Sequence, residues 1–398
     1  MTKNLLMVGV SNLANGIGGF IFLIASARLL PTDDYAKFAV LTASFVFFAK
    51  ITELGTTPAF VTLSIQEKTD YSKALLKLKV YFGLVAFVLC FAFLNFFSIS
   101  DFYTFFALSL GFIGYLINDY LFALFQLKED FLKTSLINFL PAVVKAVFAL
   151  LAIASVVSYN FYQFSLLYLA SLLVAFPLAF SKKALSSIQT KTESEEKGKV
   201  KQLLVLGTPA GVSQALILIV PLINSTMIKS SLGLTQVASF ALAEKISTIF
   251  SLASLTLFTV FLPKNAQQTK KGLLTSKTVF LPLVYLVLSL FVMLAATGPL
   301  LKFIFNDKYQ SLIELSYILS ISAALTASSS FLENIYYIFH KTKVLFTVQL
   351  LKIFILLTLN LVLIKTVGVF GVAFSNLGSS FLSLVAISLL IPTFIKRT

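Results

Sequence analysis

Charged side chains lie inside several long apolar stretches of this sequence, where a charge is costly. An ionisable residue in such a stretch usually faces a cavity or a partner, so it is a functional candidate by default. Lysines near the middle of a polar cavity suit an anionic group such as a phosphate, whereas hydroxyl and amide side chains suit a sugar. The candidate binding cations are Lys50, Lys145, Lys245, Arg28 and Lys352. The candidate acids are Glu53, Asp119, Glu333 and Glu244.

Each candidate also has a purely structural interpretation. Lys50 and Glu53 are i, i+3 neighbours on a helix, so they could neutralise each other and only fix packing. Lys352 could extend its stem toward the membrane surface, and Arg28 at a span end could anchor lipid head groups. Glu244 could lie near the interface.

The sequence offers little for cofactor or enzyme chemistry. One cysteine and one histidine, Cys90 and His340, make a structural metal site improbable. The Walker pattern Gly-x-x-x-x-Gly-Lys-Ser/Thr is absent from the sequence, and His340 lies in a short basic segment. We therefore expect no metal and no cofactor, and we expect a protein that is not an enzyme.

The candidates lie on long apolar helices. Hydrophobic residues make up 58% of the chain and charged residues only 12%, against roughly 25% charged residues in soluble domains. A membrane-spanning helix needs about 20 mostly apolar residues, and continuous runs of that length favour helices over barrel strands. Twelve spans are predicted, at residues 4–30, 36–63, 80–97, 102–127, 134–157, 161–180, 202–228, 235–262, 278–301, 311–339, 344–365 and 370–394.

Charge and repetition predict how the spans are arranged. Loops on one side hold 21 lysines and arginines against six on the other, which places both termini in the cytoplasm and accounts for the net charge of +15 without nucleic-acid binding. Residues 30–40 resemble residues 232–242 without a gap, at about half the chain length. We therefore predict two six-helix bundles, residues 1–181 and 202–398, joined by a polar cytoplasmic linker at 182–201.

Several motifs resemble one transporter family. Arg28-Leu-Leu-Pro-Thr-Asp-Asp-Tyr-Ala-Lys-Phe followed by Glu53-Leu-Gly-Thr, Leu206-Gly-Thr-Pro-Ala, the segment from Leu232 to Ile246 and Gly368-Val-Phe-Gly-Val-Ala resemble polysaccharide transporters of the oligosaccharide-flippase group. The order of these motifs along the chain is similar to the family's order. The chain departs from it at Ala36, where a glycine is usual, and at Asn224, where many relatives have an acid.

The resemblance implies a fold and a function. It implies an all-α, MATE-like membrane protein of the multidrug/oligosaccharidyl-lipid/polysaccharide superfamily, akin to O-antigen flippases of the Wzx type, in the bacterial inner membrane. Such proteins move an undecaprenyl-diphosphate-linked oligosaccharide between leaflets, and the lysines and Arg28 would engage the diphosphate or sugar. The acids would couple transport to H⁺ or Na⁺. Membrane lipids and polysaccharide polymerase machinery would be further partners.

Two other classes of function are weighed against this one. A drug/cation antiporter of the same superfamily would need acids without a cationic cavity, and the interior lysines argue against it. A membrane-embedded polysaccharide polymerase or ligase would carry a large periplasmic loop, whereas the predicted outer loops here are short.

Overall fold

A computed structural model describes residues 2–155, 159–181, 196–248, 312–338 and 342–395, with isolated residues between 284 and 302. These residues are helical apart from short connections, and no strand occurs among them. The chain forms two compact units, Met1–Ile219 (unit 1) and Val220–Thr398 (unit 2). The predicted division into six-helix halves stays a prediction, and most of its linker, 182–195, lies outside the described residues.

Unit 1 is a bundle of long helices joined by short turns. Its elements are α1 Thr2–Leu29, α2 Thr32–Ile51, α3 Thr56–Glu67, α4 Ser72–Phe96, α5 Phe102–Leu127, α6 Phe131–Ala154, α7 Phe161–Ala170, a 3-10 segment Ser171–Phe180 and α8 Glu196–Leu218. Side-chain caps mark the starts of three of them: Asp101 on α5, Asp130 on α6 and Asn160 on α7. Each cap accepts a hydrogen bond from a backbone N–H of the first turn, which would otherwise have no partner.

Unit 2 is described in part. Its elements are α9 Val220–Leu232, a helical stretch at 234–248, α10 Leu312–Ile338, α11 Thr342–Val367 and α12 Val369–Ile395. Pro221, which has no N–H to donate, lies in the first turn of α9, where a helix tolerates proline. Helices α10, α11 and α12 pack together, and α9 packs against α11 and α12.

The described residues contain nine helices that are long and apolar enough to cross a membrane. Large apolar side chains face outward on many of them; Phe102, for example, is 76% exposed and Phe354 is 67% exposed. In a membrane protein such side chains face lipid. The predicted count of twelve stays a prediction, since much of the eighth and ninth predicted spans lies outside the described residues.

The second predicted span is interrupted. Helix α2 ends at Ile51 and α3 begins at Thr56, with positive φ at Leu54 (36°) and Gly55 (71°) between them. Threonine hydroxyls bond two of the carbonyls released by the break: Thr52 Oγ1 donates to Ala49 O, and Thr56 Oγ1 donates to Glu53 O, each at 2.6 Å. Irregular backbone at membrane depth is tolerated where it is buried in protein or lines a polar cavity.

Glycines let helix α8 touch this break directly. A Cβ on Gly55 would lie 2.1 Å from the carbonyl oxygen of Gly207. A Cβ on Gly211 would lie 2.2 Å from the backbone carbon of Leu54. The left-handed φ of Gly55 also favours glycine at that position. The contact between the α2–α3 break and α8 is therefore backbone against backbone.

Candidate functional site

A polar cavity of about 320 Å³ lies inside unit 1, beside the α2–α3 break. Its walls come from α1, α2, the break, α3, α5, α6 and the 3-10 segment. The lining residues are Asn15, Lys50, Glu53, Thr57, Tyr115, Asn118, Asp119, Phe122, Ile137, Asn138, Pro141 and Leu172. Three sequence candidates, Lys50, Glu53 and Asp119, are thus brought to one cavity. We refer to it as the unit 1 cavity.

Lys50 and Glu53 form an ion pair at the cavity wall. Lys50 lies in the last turn of α2, where a cation also interacts favourably with the helix dipole. The break then turns the chain so that Glu53 meets the ammonium. The side chain of Lys50 is 38% exposed and that of Glu53 is 15% exposed, so this pair keeps contact with the cavity.

Asp119 is held by a second lysine, Lys79. Lys79 lies just before the predicted span 80–97, so the sequence predicted it to be in a loop. Helix α4 begins at Ser72, and Lys79 lies within it with a side chain only 1% exposed. Its ammonium forms an ion pair with Asp119 and donates to Thr57 Oγ1 at 3.1 Å. Thr57 in turn donates to the other carboxylate oxygen at 3.3 Å. Both oxygens of Asp119 are therefore occupied from within the protein.

Lys145 has a different environment on α6. It lies four residues after Pro141, and only 7% of its surface is exposed. Its ammonium is 4.1 Å from the centre of the Tyr168 ring. A desolvated cation–π contact is worth about 2 kcal/mol. Among the described residues no carboxylate lies within salt-bridge distance of Lys145. This lysine is therefore a buried cation held by an aromatic face.

Arg28, the third predicted binding cation of the first half, is not among the residues that line the unit 1 cavity. It lies in the last turn of α1, exposed. Both proposed roles for it, head-group anchoring and substrate contact, stay predictions.

The candidates Glu333 and Lys352 lie together in unit 2. Gln349 Nε2 on α11 donates to Glu333 Oε1 on α10 at 2.8 Å. Lys352 Nζ lies 3.4 Å from Thr326 Oγ1, and that hydroxyl is 3.0 Å from Ser380 Oγ on α12. Hydroxyl and amide groups therefore link the three helices around one acid and one lysine.

A second polar cluster in unit 2 consists of asparagines. Asn224 on α9 donates to Asn376 Oδ1 on α12 at 3.3 Å and accepts from Asn360 Nδ2 on α11 at 3.1 Å. Asn224 and Asn360 are fully buried, and Asn376 is 9% exposed. We refer to these three residues as the asparagine triad. Asn224, where many members of the resembling family have an acid, thus belongs to a cluster of neutral amides.

Glu244 and Lys245 are consecutive residues in the helical stretch 234–248, and both are half-buried. The residues that follow this stretch lie outside the described part of the chain. The roles proposed for Glu244 and Lys245 stay predictions.

Two side chains that matter here were missed by sequence reasoning. Tyr168, under Lys145, carries no sequence signal beyond its position in an apolar span. Lys79 does carry one: it falls four residues after Leu75 and in register with Ala86 and Cys90, all buried on α4. A lysine on the buried stripe of a helix signals a buried partner.

A further polar contact ties the turn before α4 to α8. The Tyr71 side chain is 1% exposed, and its hydroxyl contacts the Glu67 carboxylate and lies 2.7 Å from the Gln202 side-chain amide. Burial and the Glu67 carboxylate raise the pKa of Tyr71 above its usual 10.0. Lys199 lies 5.7 Å from the centre of the same ring. These contacts hold the first turns of α8 against the turn that precedes α4.

Solved structures with the same fold are membrane transporters. A multidrug resistance MATE family transporter of the MOP superfamily, in an inward-facing conformation, aligns with a TM-score of 0.74 at 14% identity, covering 98% of this chain and 99% of its own. The lipid II flippase MurJ aligns with a TM-score of 0.74 at 14% identity, over 97% of this chain and 87% of its own. A MOP superfamily transporter from Pyrococcus furiosus aligns with a TM-score of 0.66 at 13% identity, over 100% and 97%. At these identities the likeness establishes the fold.

The sequence itself carries the family assignment. A search of curated proteins finds no match. Residues 1–269, however, match the sequence family described as polysaccharide biosynthesis protein, which confirms the resemblance noted from the motifs. The chain therefore belongs to the polysaccharide biosynthesis protein family, with the fold of MOP superfamily transporters.

Proposed function

We propose that this protein is a flippase for an undecaprenyl-diphosphate-linked oligosaccharide, an O-antigen or related surface polysaccharide unit. It moves the unit from the inner to the outer leaflet of the bacterial inner membrane by alternating access. Family membership supports a role in polysaccharide biosynthesis. The likeness of the fold to a lipid II flippase and to MATE transporters supports transport rather than catalysis.

The observation that carries the proposal is Lys145. Its ammonium is buried in unit 1 against Tyr168, with no carboxylate within salt-bridge distance in the described part of the chain. A buried charge without a counter-ion is costly, and an anionic ligand would offset that cost. A diphosphate supplies such an anion. In this proposal Lys145 engages the diphosphate, and Lys50, Lys245, Arg28 and Lys352 engage the diphosphate or the sugar.

The acids take the coupling role in the proposal, with H⁺ or Na⁺ as the ion. Glu53 and Asp119 are each paired with a lysine. Glu333 accepts a hydrogen bond from the neutral amide of Gln349. A carboxylate held by an amide exchanges a proton or a cation more readily than one held by a lysine in direct contact. We therefore favour Glu333 over Glu53 and Asp119, with Glu244 as a further candidate.

The test is the fate of lipid-linked units in a strain that lacks the protein. We expect complete units to accumulate on the cytoplasmic face of the membrane, measured as leaflet accessibility in sealed vesicles. Restoring the wild-type gene restores surface glycan. Units that reach the outer leaflet normally but stay unpolymerised would overturn the proposal and favour an enzyme.

Variants then test the cations. Lys145→Ala abolishes surface polysaccharide at normal protein abundance, and Lys145→Arg retains part of it because the charge remains. The double variant Lys50→Ala with Lys245→Ala has the same effect as Lys145→Ala. The control is Lys133→Ala, which removes a part-exposed lysine 3.6 Å from Asp130. Normal polysaccharide in the Lys145→Ala strain would contradict the assignment.

A further inference from the structure

Three charged side chains line the unit 1 cavity, and a fourth, Lys79, pairs with one of them from outside the lining, so the four charges cancel. Lys50 pairs with Glu53, and Lys79 pairs with Asp119. A cation entering the cavity would have to displace a lysine from its carboxylate, and an anion would have to displace a carboxylate from its lysine. The cavity is therefore suited to neither ion, although charged side chains line its wall.

The cavity does offer side-chain amides that can form hydrogen bonds with a ligand. Asn118 is 7% exposed, and its Nδ2 donates to Leu172 O at 2.8 Å, which fixes the orientation of the amide. Its Oδ1 is buried and has no hydrogen-bond partner among the residues that the structure describes. A buried acceptor without a partner costs about 1–3 kcal/mol, which a ligand donor would recover. Asn15 lines the same wall and adds a second amide.

Apolar side chains line the same cavity as these amides. The rings of Tyr115 and Phe122 line the cavity, together with Pro141. The volume of about 320 Å³ lies at the small end of ligand pockets, which span roughly 300–1,000 Å³. A pyranose ring matches this combination, because its hydroxyls bond amides and ion-paired carboxylates while its C–H faces pack on aromatic rings.

We propose that the unit 1 cavity binds one uncharged sugar residue of the transported oligosaccharide, through Asn118, Asn15 and the Lys50–Glu53 pair. The proposal rests on the proposed function and gives the cavity a separate task from Lys145. The sugar is recognised in the cavity, while the diphosphate is held by cations outside its lining. Substrate selectivity would then reside in the cavity residues.

Fluorescence can test the proposal directly, because the natural chain contains no tryptophan. Phe122→Trp places a single tryptophan in the cavity wall of the full-length protein in detergent. The probes are neutral methyl glycosides with gluco, galacto, N-acetylglucosamine and rhamno rings, and inorganic diphosphate and sodium chloride at matched ionic strength. We expect a saturable, millimolar response to at least one glycoside and none to diphosphate or sodium.

A second substitution in the same background locates the binding. Asn118→Leu weakens the glycoside response at least tenfold, whereas Asn95→Leu, at the exposed end of α4, leaves it unchanged. Should Asn118→Leu fail to elute as a single species, Asn15→Leu takes its place. A response to diphosphate or sodium instead, no response to any probe, or a glycoside response unaffected by both cavity variants would overturn the proposal.

The outcomes separate this proposal from the flippase proposal. If lipid-linked units accumulate on the cytoplasmic face of the deletion strain but no glycoside binds, the flippase stands and the sugar subsite fails. If a glycoside binds through Asn118 but units do not accumulate, the cavity is a sugar site and the flippase proposal fails.

Discussion

The two units handle buried polarity in different ways. In unit 1 the charged groups at the cavity form ion pairs, and the more buried of the two pairs joins Lys79 on α4 to Asp119 on α5. In unit 2 the described polar groups are mostly amides and hydroxyls: the asparagine triad, and the serines and threonine around Glu333 and Lys352. Helix contacts in one unit thus depend on opposite charges and in the other on neutral hydrogen bonds.

This difference between the units predicts how much stability each loses when one polar partner is removed. Removing one partner of a buried ion pair leaves an unneutralised charge, which costs about 3–5 kcal/mol. Removing one partner of a neutral hydrogen bond leaves a polar group, which costs about 1–3 kcal/mol. Unit 1 should therefore be the more sensitive to single substitutions at its polar positions. The following predictions test that ranking, and Cys90, the lone buried cysteine, provides the measurement for unit 1 by reacting with a thiol dye on unfolding.

The largest effect is expected for Lys79→Ala. It leaves the Asp119 carboxylate with Thr57 as its one polar partner among the described residues, so we expect a loss of about 3–5 kcal/mol in the free energy of unfolding. The double variant Lys79→Met with Asp119→Leu recovers most of the loss, since it leaves no charge behind. Thiol reactivity of Cys90 during a thermal ramp measures both.

A matched control for this pair is Lys37→Ala. Lys37 lies 3.7 Å from Asp34, and both side chains are about one-third exposed. Such surface pairs contribute ~0–1 kcal/mol. A Lys79→Ala variant no less stable than Lys37→Ala would contradict the importance of the buried pair.

The corresponding substitution in unit 2 is Asn224→Ala. It removes the two hydrogen bonds of the asparagine triad and leaves neutral amides without a partner, so we expect a loss of about 1–3 kcal/mol. The exposed Asn95→Ala is the control, and the loss of helical circular dichroism on heating measures both variants, because Cys90 lies in unit 1 whereas Asn224 lies in unit 2. A loss as large as that of Lys79→Ala would show that the contrast between the units has no energetic basis.

A smaller effect is expected for Lys50→Ala, although it too breaks an ion pair in unit 1. Lys50 is 38% exposed, so solvation screens the pair and the loss should stay below about 1 kcal/mol. Surface polysaccharide should nevertheless fall if the Lys50–Glu53 pair contacts the sugar. A stability loss comparable to that of Lys79→Ala would mean that the presence of an ion pair, rather than its burial, decides the cost.

An effect of similar size, but dependent on pH, is expected at Tyr71, outside the spans. Tyr71→Phe should cost roughly 1 kcal/mol at neutral pH through the lost hydroxyl contacts. Because the folded-state pKa of Tyr71 is raised above 10.0, its contribution is present below pH 10.0 and is lost as the pH rises through the folded pKa. Melting curves of both proteins at neutral and alkaline pH should therefore converge at high pH. A difference that stays constant would contradict this.

Local spacing explains what the sequence could predict. The Lys50–Glu53 pair was predictable, because its partners are three residues apart on a helix. Long apolar runs likewise predicted the helices and the membrane class. The Lys79–Asp119 pair was not, because its partners are 40 residues apart and their contact depends on how α4 packs on α5. The α2–α3 break was missed because the largely polar stretch 50–57 was interpreted as part of one apolar span with ionisable groups inside it, although Gly55 is a local signal for a break.

The backbone contact between the α2–α3 break and α8 has a consequence for how this chain can change over time. Side-chain interfaces adapt to substitution by repacking rotamers, but a contact between bare backbones has none to repack. A Cβ at position 55, 207 or 211 would lie less than 3.0 Å from backbone atoms across the contact, so the backbone itself must shift to admit a larger residue. Sequence drift can therefore change the side chains of the proposed sugar-binding wall one by one, while the backbone contact between the α2–α3 break and α8 stays unchanged.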